Sequence, residues 1–416
     1  MPIRRVAITG FGVVSAVGTG AAAFFDSLLA VRSGIRLTDV VFPAGPESVL
    51  AGAVDFEPDA HFARARLLTM DRVSQLALVA GREAMVQAGL GDAAARPHSL
   101  AAERFGVCVG TGNGGAGSTD LAYTALLEQK AARLRPMTVV LAMNNAIAAH
   151  ASMEFGLKGP SSTISNACAS SANAIGEAFR QIRHGYADAM LAGGADAPLS
   201  RGTIKAWQAM HTLARLHAAG AERSCRPFSI DRSGLVLGEG AAMLVLEEWE
   251  SARARGADIL AELVGYASTT DAHHLTQPEP HGQARAMQLA LADARLDASD
   301  IGYLNAHGTA TEVGDVVETQ AIKLAFQSAA AGLPISSSKG VLGHTMGAAG
   351  AMEFIVSVMA LRNRQLPPTA FLERPDPRCD LDYIPLTARD CPGLRTVMSN
   401  SFAFGGSNAV LIAKAA

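Results

Sequence analysis

The chain has 416 residues, 49% of them apolar and 18% charged, with a formal net charge of −3. That length exceeds one ordinary hydrophobic core and implies two or more packed units, while the small net charge excludes a nucleic-acid or anionic-membrane binder working by bulk attraction. No apolar run reaches the roughly 18 residues of a membrane span. The five cysteines (Cys108, Cys168, Cys225, Cys379 and Cys391) lack CxxC spacing, which fits reduced thiols in the cytoplasm.

Arg4 and Arg5 precede an apolar stretch that could mimic a signal peptide, but Gly10, Gly12, Gly18 and Gly20 interrupt it. A first strand entering a glycine-rich turn is the better reading. Gly10-Phe-Gly-Val-Val-Ser15 comes close to a dinucleotide fingerprint, yet it lacks the third small residue and is weak evidence for a nucleotide site. Residues 70–89 show helical spacing and end at a glycine. Phe105–Gly112 reads as a buried strand, followed by helical patterns around 118–132 and 139–155.

Ser161–Phe179 reads as a short strand, a sharp turn of small residues and a helix, with Cys168 at the turn. Small neighbours leave room for a substrate, and the unpaired N–H groups of a helix N-terminus would lower the thiol pKa. A buried structural cysteine is the commoner role for an arbitrary Cys, but the strand–turn–helix elbow favours a nucleophile. Strands follow at Asp188–Asp196 and Ala241–Glu247. Strands alternate with helices throughout, as in a parallel or mixed sheet covered by helical layers.

The second half repeats the first. Ile259–Ala267 parallels the opening strand, and residues 336–362 parallel the Cys168 segment. The expected organisation is two fused α/β halves, 1–255 and 256–416, with the Cys168 and His344 regions facing one cleft. His307 stands at a strand end in Tyr303–Thr311, where α/β sites form. Lys339 and His344 precede the helix of the 336–362 segment. No metal-binding spacing of Cys or His is present.

With these motifs and Ser401-Phe-Ala-Phe-Gly-Gly-Ser-Asn408 in place, nearly the whole chain resembles the elongating β-ketoacyl-acyl carrier protein synthases, thiolase-fold condensing enzymes of the type II class. The resemblance implies a layered αβαβα core and a 3-oxoacyl-carrier synthase. Cys168 would hold the acyl group as a thioester, with an oxyanion hole from the amides of Cys168 and Phe404. His307 and His344 would stabilise the enolate formed when malonyl-carrier loses carbon dioxide. By the same resemblance, Lys339 pairs with Glu353, Glu318 is an active-site acid, and Thr309 and Thr311 contact the pantetheine arm. Phe404 gates an acyl pocket that includes Asn113.

No free cofactor or metal is implied, because 4′-phosphopantetheine arrives on the carrier protein. Arg64, Arg66 and Arg72, with Arg215 less securely placed, are expected to meet that acidic carrier. The assembly is expected to be a homodimer, or a heterodimer with a related subunit. Three departures bear on substrate choice: Ala403 replaces the usual loop glycine, Asn113 is polar, and segment 135–142 lacks the Phe-rich pattern. A ketosynthase subunit of a type II polyketide or aryl-polyene pathway is the alternative. A CoA-dependent thiolase would need a second catalytic cysteine, and Cys391 sits in a plain turn. A chain-length factor would lack the nucleophile.

Overall fold

The computed structural model describes residues 3–91 and 100–416. In chain order the first half runs β1 (Val6–Ser15), β2 (Arg36–Phe42), β3 (Gly45–Gly52), α1 (Arg72–Gln87), β4 (Phe105–Gly110), α2 (Ala116–Leu127), α3 (Thr138–Ala142), α4 (Ala146–Phe155), β5 (Ser161–Ile164), α5 (Ser170–Arg183), β6 (Ala189–Asp196), α6 (Arg201–Ala209), β7 (Leu237–Gly238) and β8 (Gly240–Glu248). The second half supplies β9 (Ala261–Thr270), α7 (Pro280–Ala294), β10 (Tyr303–Asn305), α8 (Gly314–Phe326), β11 (Ile335–Ser336), α9 (Ala349–Asn363), β12 (Thr396–Ala403) and β13 (Ser407–Lys414). The helical pattern at 139–155 is divided into α3 and α4 at Met143-Asn144-Asn145, where two consecutive asparagines are weak helix formers.

The strands lie in the order β11-β10-β12-β13-β9-β1-β8-β6-β4-β5. That order is a palindrome of two five-stranded sets. Each set has the same mixture of parallel and antiparallel neighbours, and the sets meet where Val6, Ala7 and Ile8 pair antiparallel with Leu263, Glu262 and Ala261. Even the irregularities repeat, with register shifts between Ile8 and Gly10 in β1 and between Leu263 and Gly265 in β9. The two halves are therefore related by a pseudo-twofold axis near Ala7 and Glu262.

Three apolar clusters fill the layers. One joins α5 and α9 to both sets of strands, the second packs α1 and α4 on the outer face of the first set, and the third packs α7 and α8 on the second. This gives the αβαβα sandwich. The first glycines of the chain belong to this packing. A Cβ on Gly10 would lie 2.2 Å from the Ala84 carbonyl oxygen, and one on Gly12 2.1 Å from that of Ala80. They let α1 press on β1, which accounts for the dinucleotide-like pattern without a nucleotide. A small sheet of β2, β3 and β7 caps one end, and Leu237 of β7 pairs with His344.

Candidate active site

Cys168 and His307 stand on loops between a strand and a helix, and His344 on the loop before α9. Ala167, with φ of 46°, makes the sharp turn before Cys168. The Ser170 hydroxyl ties the elbow together, accepting from the Asn166 amide at 2.9 Å and donating to the Ala167 carbonyl at 2.6 Å. Cys168 is only 7% exposed and forms part of the wall of a cavity of about 580 Å³. His307, His344, Thr309, Thr311 and Phe404 share that wall.

The surroundings of the thiol correct one expectation. Burial pushes Cys168 up to about 12, and the Lys339 charge and the Phe404 amide only partly offset it. Desolvation is the largest influence on this thiol and acts against the lowering expected of a helix N-terminus. The cavity, rather than acidity, distinguishes Cys168 from buried Cys108, Cys225 and Cys379.

His307 follows β10. Its amide and that of Gly308 donate to the two oxygens of Glu318 at 2.8 and 2.7 Å. Glu318 thus clamps the strand end, and burial raises its carboxyl to about 7. Lys339 Nζ donates to the His307 carbonyl at 2.5 Å, lies 3.4 Å from His307 Nδ1, and is paired with the buried carboxylate of Glu353. On the other side, His344 Nδ1 accepts from the Met346 amide at 3.3 Å, which assigns the proton to Nε2. That Nε2 is buried with no protein partner.

The two imidazoles meet edge-on with centroids 5.4 Å apart. Burial first, and the Lys339 charge second, hold both well below the ordinary histidine range, so both are neutral. A sulfur or nitrogen of each of Cys168, His307 and His344 lies within 4.8 Å of the others, the only such trio of potential metal ligands found among the described residues. Two neutral N–H donors beside a thiol suit an anion forming on a substrate oxygen.

The Phe404 amide is directed at Cys168, and its ring stacks on Trp207 with centroids 5.8 Å apart. Ala403 adopts an ordinary extended conformation (φ −121°), and Gly405 carries the left-handed turn (φ 83°). Alanine therefore imposes no strain on the loop in this conformation. Thr309 and Thr311 share a 2.9 Å hydroxyl contact. Their loop is held by Arg232, which donates to the Thr311 and Glu312 carbonyls, and by Asp315, which accepts from the Ala310 amide. Asn113 does not join this group. Its side chain is exposed and is not part of the cavity wall.

The arginines separate. Arg64 is exposed with no ion pair among the described residues, whereas Arg66 is bound to Glu154. Arg72 is committed to Glu239 and the Val54 carbonyl, and Arg215 lies on the cavity wall. Trp207, Arg232 and Asp196 were not anticipated from sequence. For Asp196 a signal existed, since a carboxylate closes the otherwise apolar strand β6.

Residues 3–252 match the family model for the β-ketoacyl synthase N-terminal domain, and residues 260–373 that for its C-terminal domain. The chain belongs to the β-ketoacyl synthase family. It is 45% identical to nodulation protein E of Rhizobium meliloti (strain 1021) over 411 residues, 99% of each chain. It is 41% identical to 3-oxoacyl-[acyl-carrier-protein] synthase 2 of Staphylococcus aureus (strain COL) over 416 residues, 99% of this chain and 98% of that one. Among solved structures, a type II polyketide acyl-carrier protein in complex with its ketosynthase aligns with a TM-score of 0.89 and 31% identity, covering 100% of both chains. The chain is thus an acyltransferase of the condensing class, with the thiolase-like fold of those ketosynthases.

Proposed function

We propose that this β-ketoacyl synthase elongates an acyl chain held on Cys168 by decarboxylative condensation with malonyl-carrier protein. The supporting observation is the convergence of one thiol and two neutral imidazoles on a single cavity, with His344 Nε2 unpartnered. In the first half-reaction the Cys168 sulfur attacks the acyl thioester, the carbon–sulfur bond to pantetheine breaks, and the thiol proton passes to the departing pantetheine sulfur. The Cys168 and Phe404 amides hold the oxyanion of the tetrahedral intermediate. In the second, the malonyl carbon–carbon bond breaks, carbon dioxide departs and the electron pair of that bond enters an enolate. His307 and His344 donate to the enolate oxygen. The carbanion attacks the acyl-Cys168 carbonyl, the carbon–sulfur bond breaks, 3-oxoacyl-carrier leaves, and the released Cys168 thiolate takes up a proton from water.

Lys339, Glu353 and Glu318 position the histidines, while Thr309 and Thr311 receive the pantetheine arm. No free cofactor enters this chemistry, since the arm is part of the substrate.

The partner is an acyl carrier protein, met by Arg64 and Arg66. The assembly is a dimer of this chain. The edge strand β5 pairs on one side only, and neighbouring α2 and α3 expose Leu121, Leu127 and Val139 at 71, 73 and 72%. Asn113 and segment 135–142 lie on that side and would line the acyl pocket only once a second subunit covers them. No described helix is long and apolar enough to cross a membrane, and the scattered free cysteines support the reading of a cytoplasmic enzyme.

The test is single-turnover acylation of Cys168 by saturated carriers of increasing length and by polyunsaturated ones. Each buried methylene is worth about 0.8 kcal/mol in an apolar tunnel. Rates that climb to long saturated chains and ignore Asn113→Ile support fatty-acid elongation. Long saturated chains that fail, and that Asn113→Ile rescues, support a polyketide or aryl-polyene role. No acylation of Cys168 with any carrier refutes the reading.

A further inference from the structure

The pseudo-twofold gives the active-site elbow a counterpart. Ala167 (φ 46°) corresponds to Met346 (φ 47°), each opening a one-turn 3₁₀ segment that leads into a long helix, α5 or α9. Cys168 therefore corresponds to Gly347. Strand registers supply the second equivalence. β6 and β12 each have eight residues and end at paired positions, Asp196 opposite Gly240 and Ala403 opposite Ser407. The next residues, Ala197 and Phe404, correspond in turn. The twofold mates of the Cys168 and Phe404 amides are thus those of Gly347 and Ala197.

The Gly347 amide donates to the Asp196 carboxylate at 2.9 Å, and the Ala197 amide favours the same charge. Gly112 adds a second hydrogen bond at 2.9 Å and Asn113 a third at 3.3 Å. Asp196 is completely buried, and the forces on its charge are burial and backbone amides, with no cationic side chain among the leading ones. A nucleophile cannot return to this second elbow, because a Cβ on Gly347 would lie 2.3 Å from the Gly112 nitrogen.

We propose that the Asp196 carboxylate is a built-in anion filling the twofold counterpart of the oxyanion hole, and that it acts as a positioning residue for His344. The inference rests on the proposed roles of the Cys168 and Phe404 amides and of His344. Asp196 anchors Gly347, and the adjoining Met346 amide is the donor that fixes the His344 tautomer. Through Gly112 and Asn113 the same carboxylate holds the loop assigned to the acyl pocket. A buried anion held by the amides of Gly112, Asn113 and Gly347 fixes both segments more firmly than separate bonds to water would. The vacancy left by removing it has the shape and donor set for a small carboxylate.

The experiment compares malonyl-carrier decarboxylation with iodoacetamide alkylation of Cys168 in wild type, Asp196→Ala and Asp196→Asn. Loosening His344 should cost about 100-fold in decarboxylation in Asp196→Ala, with alkylation within a few-fold of wild type. Formate or acetate should restore at least tenfold of that loss, and equal ionic strength of chloride should restore none. Asp196→Asn keeps the volume but turns an N–H group towards the amides, so it should lose decarboxylation and resist rescue. If Asp196→Ala does not fold, the ratio of the two rates in Asp196→Asn decides, and an unchanged ratio overturns the proposal. Parallel loss of both activities without carboxylate rescue also overturns it. His344→Ala is the control on the underlying reading, because normal decarboxylation in that variant refutes the role of His344 itself, independently of Asp196.

Discussion

Lys339 is joined to His307 at two points, donating to its carbonyl at 2.5 Å and approaching Nδ1 at 3.4 Å. The ammonium makes Nδ1 the acceptor, so the proton resides on Nε2. Glu353 completes the arrangement with both side chains only 2% exposed. Removing one member strands the other charge in the core, which costs about 3–5 kcal/mol. Lys339→Met should therefore be strongly destabilised in chemical unfolding. Lys339→Met with Glu353→Leu should regain most of that stability yet decarboxylate poorly. Full activity in the stable double variant would show the pair to be purely structural.

Cys168→Ala should abolish condensation and acylation while malonyl-carrier decarboxylation continues, because both imidazoles remain. In the wild type, iodoacetamide should modify Cys168 before buried Cys108, Cys225 and Cys379, since of these four it is the one that opens on the cavity. Burial raises its pKa, so the alkylation rate should keep climbing through the alkaline range. A profile that levels off below pH 7, followed by peptide mapping, would contradict the buried, protonated thiol.

His307→Ala or His344→Ala should lower decarboxylation by about 100- to 1,000-fold, the usual cost of one oxyanion donor. Acyl transfer to Cys168 should persist. Both histidines have folded pKa values held below the ordinary 6.5. Their neutral state therefore contributes stability above that value, and the contribution is lost as pH falls and the unfolded chain takes up protons. The decarboxylation rate should accordingly be flat from about pH 8 down to about 6.5. An inflection inside that window that disappears in His344→Ala would refute a neutral pair.

Arg64 and Arg66 should differ on charge reversal. Arg64→Glu should raise the KM for carrier substrates by about two- to fivefold, as for an exposed ion pair, and leave stability unchanged. Arg66→Glu should also destabilise the fold, because it sets a second carboxylate against Glu154. Equal KM values for wild type and Arg64→Glu across a salt series would remove Arg64 from the carrier surface.

Leu121→Glu combined with Val139→Asp should convert the proposed dimer to a folded monomer in sedimentation velocity. The exposed apolar side chains of α2 and α3 leave these substitutions solvent-accessible in the single chain. A variant that still sediments as a dimer would place the interface elsewhere.

The chemistry was legible where local geometry demands particular residues. The Cys168 elbow needs small residues around a left-handed turn, and His307 and His344 each adjoin glycine at a loop before a helix. The repeat of apolar strands and small-residue turns announced two similar halves. These features survive in a linear reading because they rest on contacts within a few residues.

Other properties exist only between distant segments. The raised pKa of the thiol follows from layers of packing that sequence spacing does not register, and this desolvation opposes the effect expected from the helix terminus. Arg66 and Arg72 read as free surface charges until Glu154 and Glu239, 88 and 167 residues away, take them up. Asn113 reads as a pocket residue, yet the single chain leaves it exposed. Asp196 gains its meaning from the pseudo-twofold, which brings amides of residues 112, 113 and 347 around one carboxylate. Sequence determined which groups can react. The tertiary structure decided their charge, their orientation and which oxygen each donor can reach, because those depend on burial and on partners far along the chain.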